Sequence, residues 1–251
     1  LIQVNNISKS FTGRSILKDI NFTFETGKTN IIIGESGSGK TTLLKCMVGL
    51  NEIDAGEILY DGRSFFDLDF KGKKAIRKEI GMLFQGGALF DSKTVEENVV
   101  FPLSMFTDMS VEEKRDRANF CLQRVNLNNA NNLYPSELSG GMKKRVAIAR
   151  AIAVQPKYLF CDEPNSGLDP KTSIVIDNLI KEITEEYNIT TIVITHDMNS
   201  VIEIGDNIMF IYKGEKWWEG NKHEILKTTN KEICDFVYAT EFMKDLKEKF
   251  Q

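Results

Sequence analysis

Gly34-Glu35-Ser36-Gly37-Ser38-Gly39-Lys40-Thr41 fits the pattern G-x-x-x-x-G-K-[ST]. The apolar run Asn30 to Ile33 precedes it and the apolar-periodic stretch Lys40 to Val48 follows it. Strand, glycine-rich loop and helix in that order make a phosphate-binding loop. The residue types follow from what a polyphosphate needs. Gly34, Gly37 and Gly39 let the backbone turn its N–H groups inward, and the helix adds its positive N-terminal end. Lys40 places a point charge on the β- and γ-phosphates. Thr41 supplies a hydroxyl ligand for Mg²⁺ and Thr42 a hydroxyl for the α-phosphate. Ser36 and Ser38 complete the nucleotide-contacting loop. The motif implies nucleotide binding and leaves the use of the nucleotide open.

A loop of this kind needs a carboxylate for Mg²⁺ and a base for water. Tyr158 to Cys161 is an apolar strand that runs into Asp162-Glu163. Carboxylates at the carboxyl end of a buried strand stand where open α/β sheets bind ligands. Asp162 is the candidate Mg²⁺ anchor and Glu163 the candidate base. His196 ends a second apolar strand, Thr191 to Thr195, expected beside the first, and is assigned to sensing the γ-phosphate. His223 lies in a polar stretch and receives no role.

Working outward, short apolar runs alternate with helical patterns, which predicts an α/β sheet with crossover helices. Further strands are expected at Ile2 to Val4, Asn21 to Phe24, Gly56 to Tyr60, Gly81 to Phe84 and Asn207 to Tyr212. Those at Ile2, Asn21 and Gly56 are read as a short antiparallel side sheet. Thr172 to Glu186 and Met198 to Ile204 read as helices, with Val175, Leu179, Ile180 and Ile183 on one face of the first. Between Val95 and Val154 no strand signal appears. Helices are expected there at Val95 to Val99, Val111 to Val125 and Gly140 to Ala153, with the asparagine-rich stretch 126–132 as a loop. The basic run Lys71, Lys73, Lys74, Arg77 and Lys78 reads as a solvated helix face. Trp217-Trp218 is placed on a hairpin between Gly214 and Gly220, one ring packed. Phe236, Ala239, Met243, Leu246 and Phe250 predict a terminal helix.

The 251 residues carry 32 Lys plus Arg against 36 Asp plus Glu, a net charge of −4. A bulk basic footprint for nucleic acid is therefore absent. No apolar run has the length of a membrane span, and no secretory signal opens the chain. Leu1 stands where an initiator Met is expected, which implies a few trimmed residues. Cys46, Cys121, Cys161 and Cys234 form no C-x-x-C pair, which argues against zinc and for a reduced, cytoplasmic setting.

Leu138-Ser139-Gly140-Gly141-Met142 decides the family. Ser139 can cap the following helix while Gly140 and Gly141 leave N–H groups open to an anion. With the phosphate loop, this chain resembles the ATP-binding subunits of ABC transporters over nearly its whole length. The resemblance implies a P-loop core with an antiparallel side sheet and an inserted helical subdomain. Residues 1–93 and 155–229 would form the core, 94–154 the helical subdomain and 230–251 a helical tail. It implies a head-to-tail homodimer in which the signature of one subunit closes on the ATP held by the other. By the same resemblance Phe11 stacks on adenine, Ile16 lines that pocket, and Gln85 contacts Mg²⁺ and the attacking water. Asn165-Ser166-Gly167-Leu168-Asp169 would be the loop that crosses between subunits, with Gly167 a mild departure from the family pattern.

Met142-Lys143-Lys144-Arg145, Gln85 to Asp91 and Thr94 to Leu103 are similar to the ATPases of Mla-type, MCE-associated phospholipid transporters. That resemblance implies work at the cytoplasmic face of the inner membrane, with a permease, an MCE lipid-binding protein and a small STAS-domain protein as partners. Leu89, Phe90, Phe101, Pro102 and Leu103 are the expected apolar lining of the permease groove. ATPases for lipoprotein release, cell division or amino-acid import are the alternative. ABC proteins of chromosomes and DNA breaks insert a long coiled coil between the two motifs, and the segment from Lys40 to Ser139 is too short for one. Ribosome-binding relatives usually carry two cassettes, and one is present.

Overall fold

The computed structural model describes residues 1–238. The chain begins with an antiparallel pair, β1 (Ile2–Phe11) and β2 (Arg14–Phe24), then β3 (Thr29–Ile33) and α1 (Lys40–Met47). Next come β4 (Ala55–Tyr60), β5 (Arg63–Ser64), α2 (Phe70–Lys78) and β6 (Ile80–Leu83). Three helices follow: α3 (Val95–Phe106), α4 (Val111–Arg124) and α5 (Gly140–Ile152). The second half runs β7 (Tyr158–Asp162), α6 (Pro170–Glu186), β8 (Thr190–Ile194), α7 (Met198–Ile204), β9 (Asn207–Tyr212), β10 (Glu215–Gly220) and α8 (Lys231–Val237).

Two sheets result, ordered β2-β1-β4-β5 and β10-β9-β3-β8-β7-β6. The first is antiparallel throughout; the second is parallel from β9 to β6, with β10 antiparallel at its edge. The parallel strands β3, β7, β8 and β9 are buried at nearly every position because both faces are covered, with Thr29, Asn30, Thr190 and Thr191 the polar residues at the starts of β3 and β8. Ile31 and Ile33 point into one core with α3 to α7, while Ile32 points into the other with α1 and the side sheet. Leu159 and Cys161 alternate with Phe160 in the same way. Each such side chain contributes about 1.5–3 kcal/mol of burial.

The side strands are longer than the sequence pattern predicts. β1 and β2 span 10 and 11 residues. Register shifts between Val4 and Ile7, Ile7 and Lys9, and Lys9 and Ser10 break the two-residue alternation that marks a strand. Strand β6 ends at Leu83, so Phe84 lies outside it. Helix α3 runs beyond the expected stop at Val99 and through Pro102. A Thr94–Glu97 capping box starts it and an apolar face of Val95, Val99 and Leu103 anchors it. Leu103 is wholly buried and lines the core, not the groove assigned to it. The basic run lies on α2, where only Ile76 is buried. Trp217 is 41% exposed while Trp218 packs on the core. The remaining residues of the expected terminal helix, Ala239, Met243, Leu246 and Phe250, lie outside the described residues; Phe236 packs against the core from α8.

Asn98 ties the loop after β6 to α3. It is fully buried; Oδ1 accepts from Phe90 N at 2.8 Å, and Nδ2 is within donating distance of Phe90, Lys93 and Thr94 carbonyls at 3.2, 3.1 and 2.9 Å. Asn98→Ala removes the side-chain partner of the Phe90 N–H and of the Lys93 carbonyl, at about 1–3 kcal/mol for each group left unsatisfied, while the Phe90 and Thr94 carbonyls keep the N–H groups of residues 93 and 98. It is expected to lower unfolding free energy by about 2–4 kcal/mol in urea titrations. An unchanged midpoint and slope would remove Asn98 from this anchoring role.

Candidate nucleotide site

The strand order builds the site. Strands β3, β8, β7 and β6 lie side by side and parallel, so their carboxyl ends deliver Gly34, His196, Asp162-Glu163 and Gln85 to one edge. His196 thus follows a strand that pairs with that of Asp162, as expected from the sequence.

The loop from Gly34 to Thr41 is shaped by close approach. Gly34 has φ 150°, and a Cβ there would stand 2.3 Å from the Ile211 carbonyl oxygen. Gly39, the N-cap of α1 with φ 112°, would drive a Cβ to 2.7 Å from Leu17 Cδ2. Lys40 is buried, and its Nζ donates to Gly34 O at 2.7 Å and Glu35 O at 2.9 Å. Burial lowers its pKa, while Glu163, Asp162 and Glu35 raise it in opposition. Ser38 Oγ is buried without a hydrogen-bond partner. An orphaned hydroxyl, uncapped helix N–H groups and a buried ammonium together fit a polyphosphate. Thr41 is exposed and Thr42 half-buried at the start of α1.

Asp162 ends β7, and its carboxyl is raised by burial and by Glu163. Glu163 has φ 49°, a left-handed conformation uncommon outside glycine. Its N–H donates to Ile194 O at 2.9 Å, and its Oε1 lies 2.9 Å from His196 Nδ1. The His196 side chain is 70% exposed, so the ring stands between Glu163 and solvent. Gln85 is exposed, two residues past β6. Among the described residues no cluster of three His, Cys, Asp or Glu side chains could hold a metal alone. The oxygens of Thr41, Gln85 and Asp162 suit a Mg²⁺ that shares its shell with phosphate and water.

Phe11 lies at the tip of the β1–β2 hairpin, 43% exposed, with Lys9 Nζ 5.3 Å from its ring centroid. It is therefore not a core aromatic. Ile16 is half-buried, and its backbone oxygen lies against Gly39, next to the loop. Ser139 caps α5, accepting from Met142 N at 3.2 Å. Gly140 lines a cleft of about 470 Å³ with Gln85, Gly86, Ser166, Gly167 and Leu168; no residue of 34–42 lines it. Ser139, Gly140 and Gly141 thus stand beside the Gln85 loop and the 165–169 loop.

An apolar groove of about 290 Å³ adjoins Gln85, lined by Met82, Phe84, Phe90, Phe101, Pro102 and Phe106. The Phe90 and Phe101 rings are 4.7 Å apart. Arg150 holds one wall by donating to the Gly87 and Ala88 carbonyls, each at 2.7 Å. Leu89 packs against the core instead. A separate cavity of about 550 Å³ lies at the opposite ends of the strands, between Arg117, Tyr158 and Tyr187, away from every motif residue.

The ABC transporter family model matches residues 17–166. The chain belongs to the ABC transporter family. It is 40% identical over 232 residues to a methionine import ATP-binding protein of Protochlamydia amoebophila, covering 90% of this chain and 67% of that one. It is 39% identical over 237 residues to the intermembrane phospholipid transport ATP-binding protein of Haemophilus influenzae, covering 94% and 90%. The dimeric cassette MJ0796 in a post-hydrolysis state bound to ADP and Pi superposes with TM-score 0.81 at 36% identity, covering 88% and 99%. As an ABC cassette the chain is an ATPase that uses ATP with Mg²⁺ and works as a dimer with membrane permease subunits. Among the described residues no helix is long and apolar enough to cross a membrane.

The burial of three polar residues at this ABC site, Lys144, Asn165 and Asp177, escaped the sequence reading. Lys144 is 5% exposed on α5. Its burial was legible from Ala147, Ile148 and Ala151, which share its face at helical spacing and are buried. Asn165 and Asp177 form a buried network with Ser200. Asn165 Nδ2 donates to Asp177 Oδ1 at 2.8 Å and to Ser200 Oγ at 3.0 Å, and Ser200 Oγ donates to Asp177 Oδ2 at 2.8 Å. The network fastens the 165–169 loop to α6 and to α7, which follows His196.

Burial pushes the Asp177 carboxyl from an ordinary 3.8 up to about 6, with hydrogen bonds from Ser200 and Asn165 opposing and Asp197 and Glu203 adding to the rise. The folded state therefore holds this proton more tightly than the unfolded chain. Its contribution is greatest below about pH 4 and is lost as pH rises through about 6. Asn165 Oδ1 has no hydrogen-bond partner, and an amide at position 177 can supply a donor. Asp177→Asn is expected to gain about 1–3 kcal/mol of stability at pH 8, with the gain fading below pH 4. Urea unfolding across pH would refute this by giving parallel curves for the two proteins.

Proposed function

We propose that this ABC ATPase powers phospholipid movement between inner and outer membranes, through a permease and an MCE lipid-binding protein, with a small STAS-domain protein as a further partner. It would sit at the cytoplasmic face of the inner membrane. The observation that carries the reading is Met142-Lys143-Lys144-Arg145 after the signature, together with Gln85 to Asp91 and Thr94 to Leu103. Similarity to the Haemophilus influenzae phospholipid transport protein supports it. Amino-acid import is the second reading, supported by methionine import relatives at 40% identity. Residues 94–154 form the helical subdomain of this reading, on the core of 1–93 and 155–229.

The residue roles in this reading come from the motifs and the family resemblance, and the geometry supports them. Phe11 stacks on adenine beside Ile16. The N–H groups of the loop with Gly34, Gly37, Ser38 and Gly39 wrap the phosphates, Ser36 completes the cradle, and Lys40 turns its ammonium from two carbonyls toward the β- and γ-phosphates. Thr41, Gln85 and Asp162 would hold Mg²⁺, and the ion would supply neutralisation of phosphate charge there. Glu163 polarises the attacking water, and His196 fixes the Glu163 carboxylate while facing the γ-phosphate. Ser139, Gly140 and Gly141 of each subunit close on the ATP of the other. The groove at Phe90 and Phe101 receives the permease, since an aromatic patch of this kind marks an interaction site.

Glu163→Gln is expected to lower turnover roughly 10²–10⁴-fold while ATP still binds, so that an ATP-bound dimer accumulates on size exclusion. Lys40→Ala should instead weaken ATP binding itself. Wild-type turnover in the first variant, or wild-type ATP affinity in the second, removes that residue from its role.

Substrate is tested by capturing the Glu163→Gln protein from its own membranes and identifying proteins and lipids by mass spectrometry. A permease with an MCE protein and bound phospholipid is the expected result. A permease with a solute-binding or lipoprotein-release subunit would keep the ATPase and overturn the cargo.

A further inference from the structure

Lys144 lies one helical turn beyond Gly140 on α5, between the half-buried Lys143 and Arg145, and turns its ammonium inward. Nζ donates to the Gln85 carbonyl, and to the Glu163 carbonyl at 3.3 Å. Those carbonyls belong to the two loops that carry the Mg²⁺ contact and the base. Glu163 needs such a hold: its φ of 49° is strained, and its carbonyl direction sets where the carboxylate points. The cleft formed by Gln85, Gly86, Gly140, Ser166, Gly167 and Leu168 also has Lys144 in its wall, so helix, Gln85 loop and crossing loop meet there.

Each dimer site is composite. The N-terminal end of α5 serves the ATP of the partner, while Gln85 and Glu163 serve the ATP of their own chain. Lys144 stands between the two. We propose that Lys144 is a positioning residue that ties the signature end of α5 to the Gln85 and Glu163 loops of the same chain, and so couples the two ATP sites of the dimer. A shift of α5 on engaging one ATP drags the ammonium, and with it the carbonyls that aim Glu163 at the other. A displacement well under a turn suffices, because misplacement by about 1 Å can cost roughly 10²-fold in rate. The inference rests on the proposed role of Glu163 as base and on the head-to-tail dimer.

The test compares wild type, Lys144→Met, Lys144→Arg and Glu163→Gln as full-length proteins, in rate against ATP concentration and in binding of a fluorescent ATP analogue. Lys144→Met keeps the length of the chain and removes the donors. It is expected to lose roughly 10–100-fold in kcat with analogue affinity within about two-fold, and to drop the Hill coefficient for ATP from above 1 toward 1. Lys144→Arg, which can still donate to both carbonyls, should recover most of the rate and the cooperativity. A purely structural lysine would lower binding and rate together and leave the Hill coefficient in place, which overturns the proposal. A wild-type Hill coefficient of 1, or wild-type kcat in Lys144→Met, also overturns it. If Lys144→Met does not fold, as read by circular dichroism, Lys144→Gln, which keeps a donor, takes its place with the same expectations. Wild-type turnover in Glu163→Gln identifies a failure of the base assignment, distinct from a failure of the coupling.

Discussion

The parallel ladder of β3, β8, β7 and β6 is the constraint on which the site depends. Ile32 stands opposite Ile194, Ile194 opposite Asp162 and Cys161 opposite Leu83, so the four strands end level. Two backbone hydrogen bonds carry the alignment beyond the strands: Glu163 N to Ile194 O at 2.9 Å, and Thr195 N to Ile32 O at 3.3 Å. A one-residue slip of β7 would exchange the faces of Leu159, Phe160 and Cys161 and turn both carboxylates away. The two apolar cores therefore set the chemistry, because each accepts only one register.

Charge is buried at that edge in opposing pairs. Burial disfavours the charged forms of Lys40, Lys144 and Asp162, and each is partly stabilised by charges of the opposite sign within the group. Removing one member leaves the others uncompensated, which costs more than the pair contributes. Glu163 is held at a strained φ by its N–H to Ile194, its carbonyl from Lys144, and the Ser166 N–H at 3.2 Å. Strain of about 1–3 kcal/mol persists because those bonds over-determine the conformation. The Glu163 backbone is thereby fixed, and in the proposed role of base its carboxylate would need little reorganisation for the reaction.

Much of this was legible in sequence, for a physical reason. Phosphate recognition demands glycine where Cβ would strike Ile211 or Leu17, and strands buried on both faces must be continuously apolar. Both leave marks in consecutive residues. The side sheet hid its length because bulges near Ile7 and Lys9 interrupt alternation. Helix α3 hid its continuation because Pro102 normally ends a pattern, whereas here Leu103 and the capped start hold the helix together. Leu103 and Leu89 went to the core although their neighbours Phe90 and Pro102 line the groove, a distinction set by helix phase and loop packing. Lys144 and Asp177 were masked by their charge: Ala147 and Ile148 share the face of Lys144 and are buried, whereas around Asp177 only Ile180 is an apolar buried neighbour at helical spacing and Ile174 is exposed, so periodicity reveals the first and not the second.

Relatives named for methionine import and for phospholipid transport are 40% and 39% identical to this chain. Near-equal identity is what the architecture implies. Backbone N–H groups, glycines and a few fixed charges bind a triphosphate in the same way whatever the cargo, and the apolar ladder that aligns them carries no cargo information. In the proposed reading cargo is met by the permease, so the residues that discriminate between the two readings would belong on the surface that meets it. The groove near Phe90 and Phe101 is that surface in the proposed reading, hung on α3 through Asn98 and on α5 through Arg150. Helix α5 also carries Lys144, which reaches Glu163. One helix thus contacts the wall of the groove through Arg150, carries the signature at its start, and reaches the Glu163 backbone carbonyl through Lys144, so in the proposed reading a load on the groove would reach the Glu163 loop through two hydrogen-bonded steps.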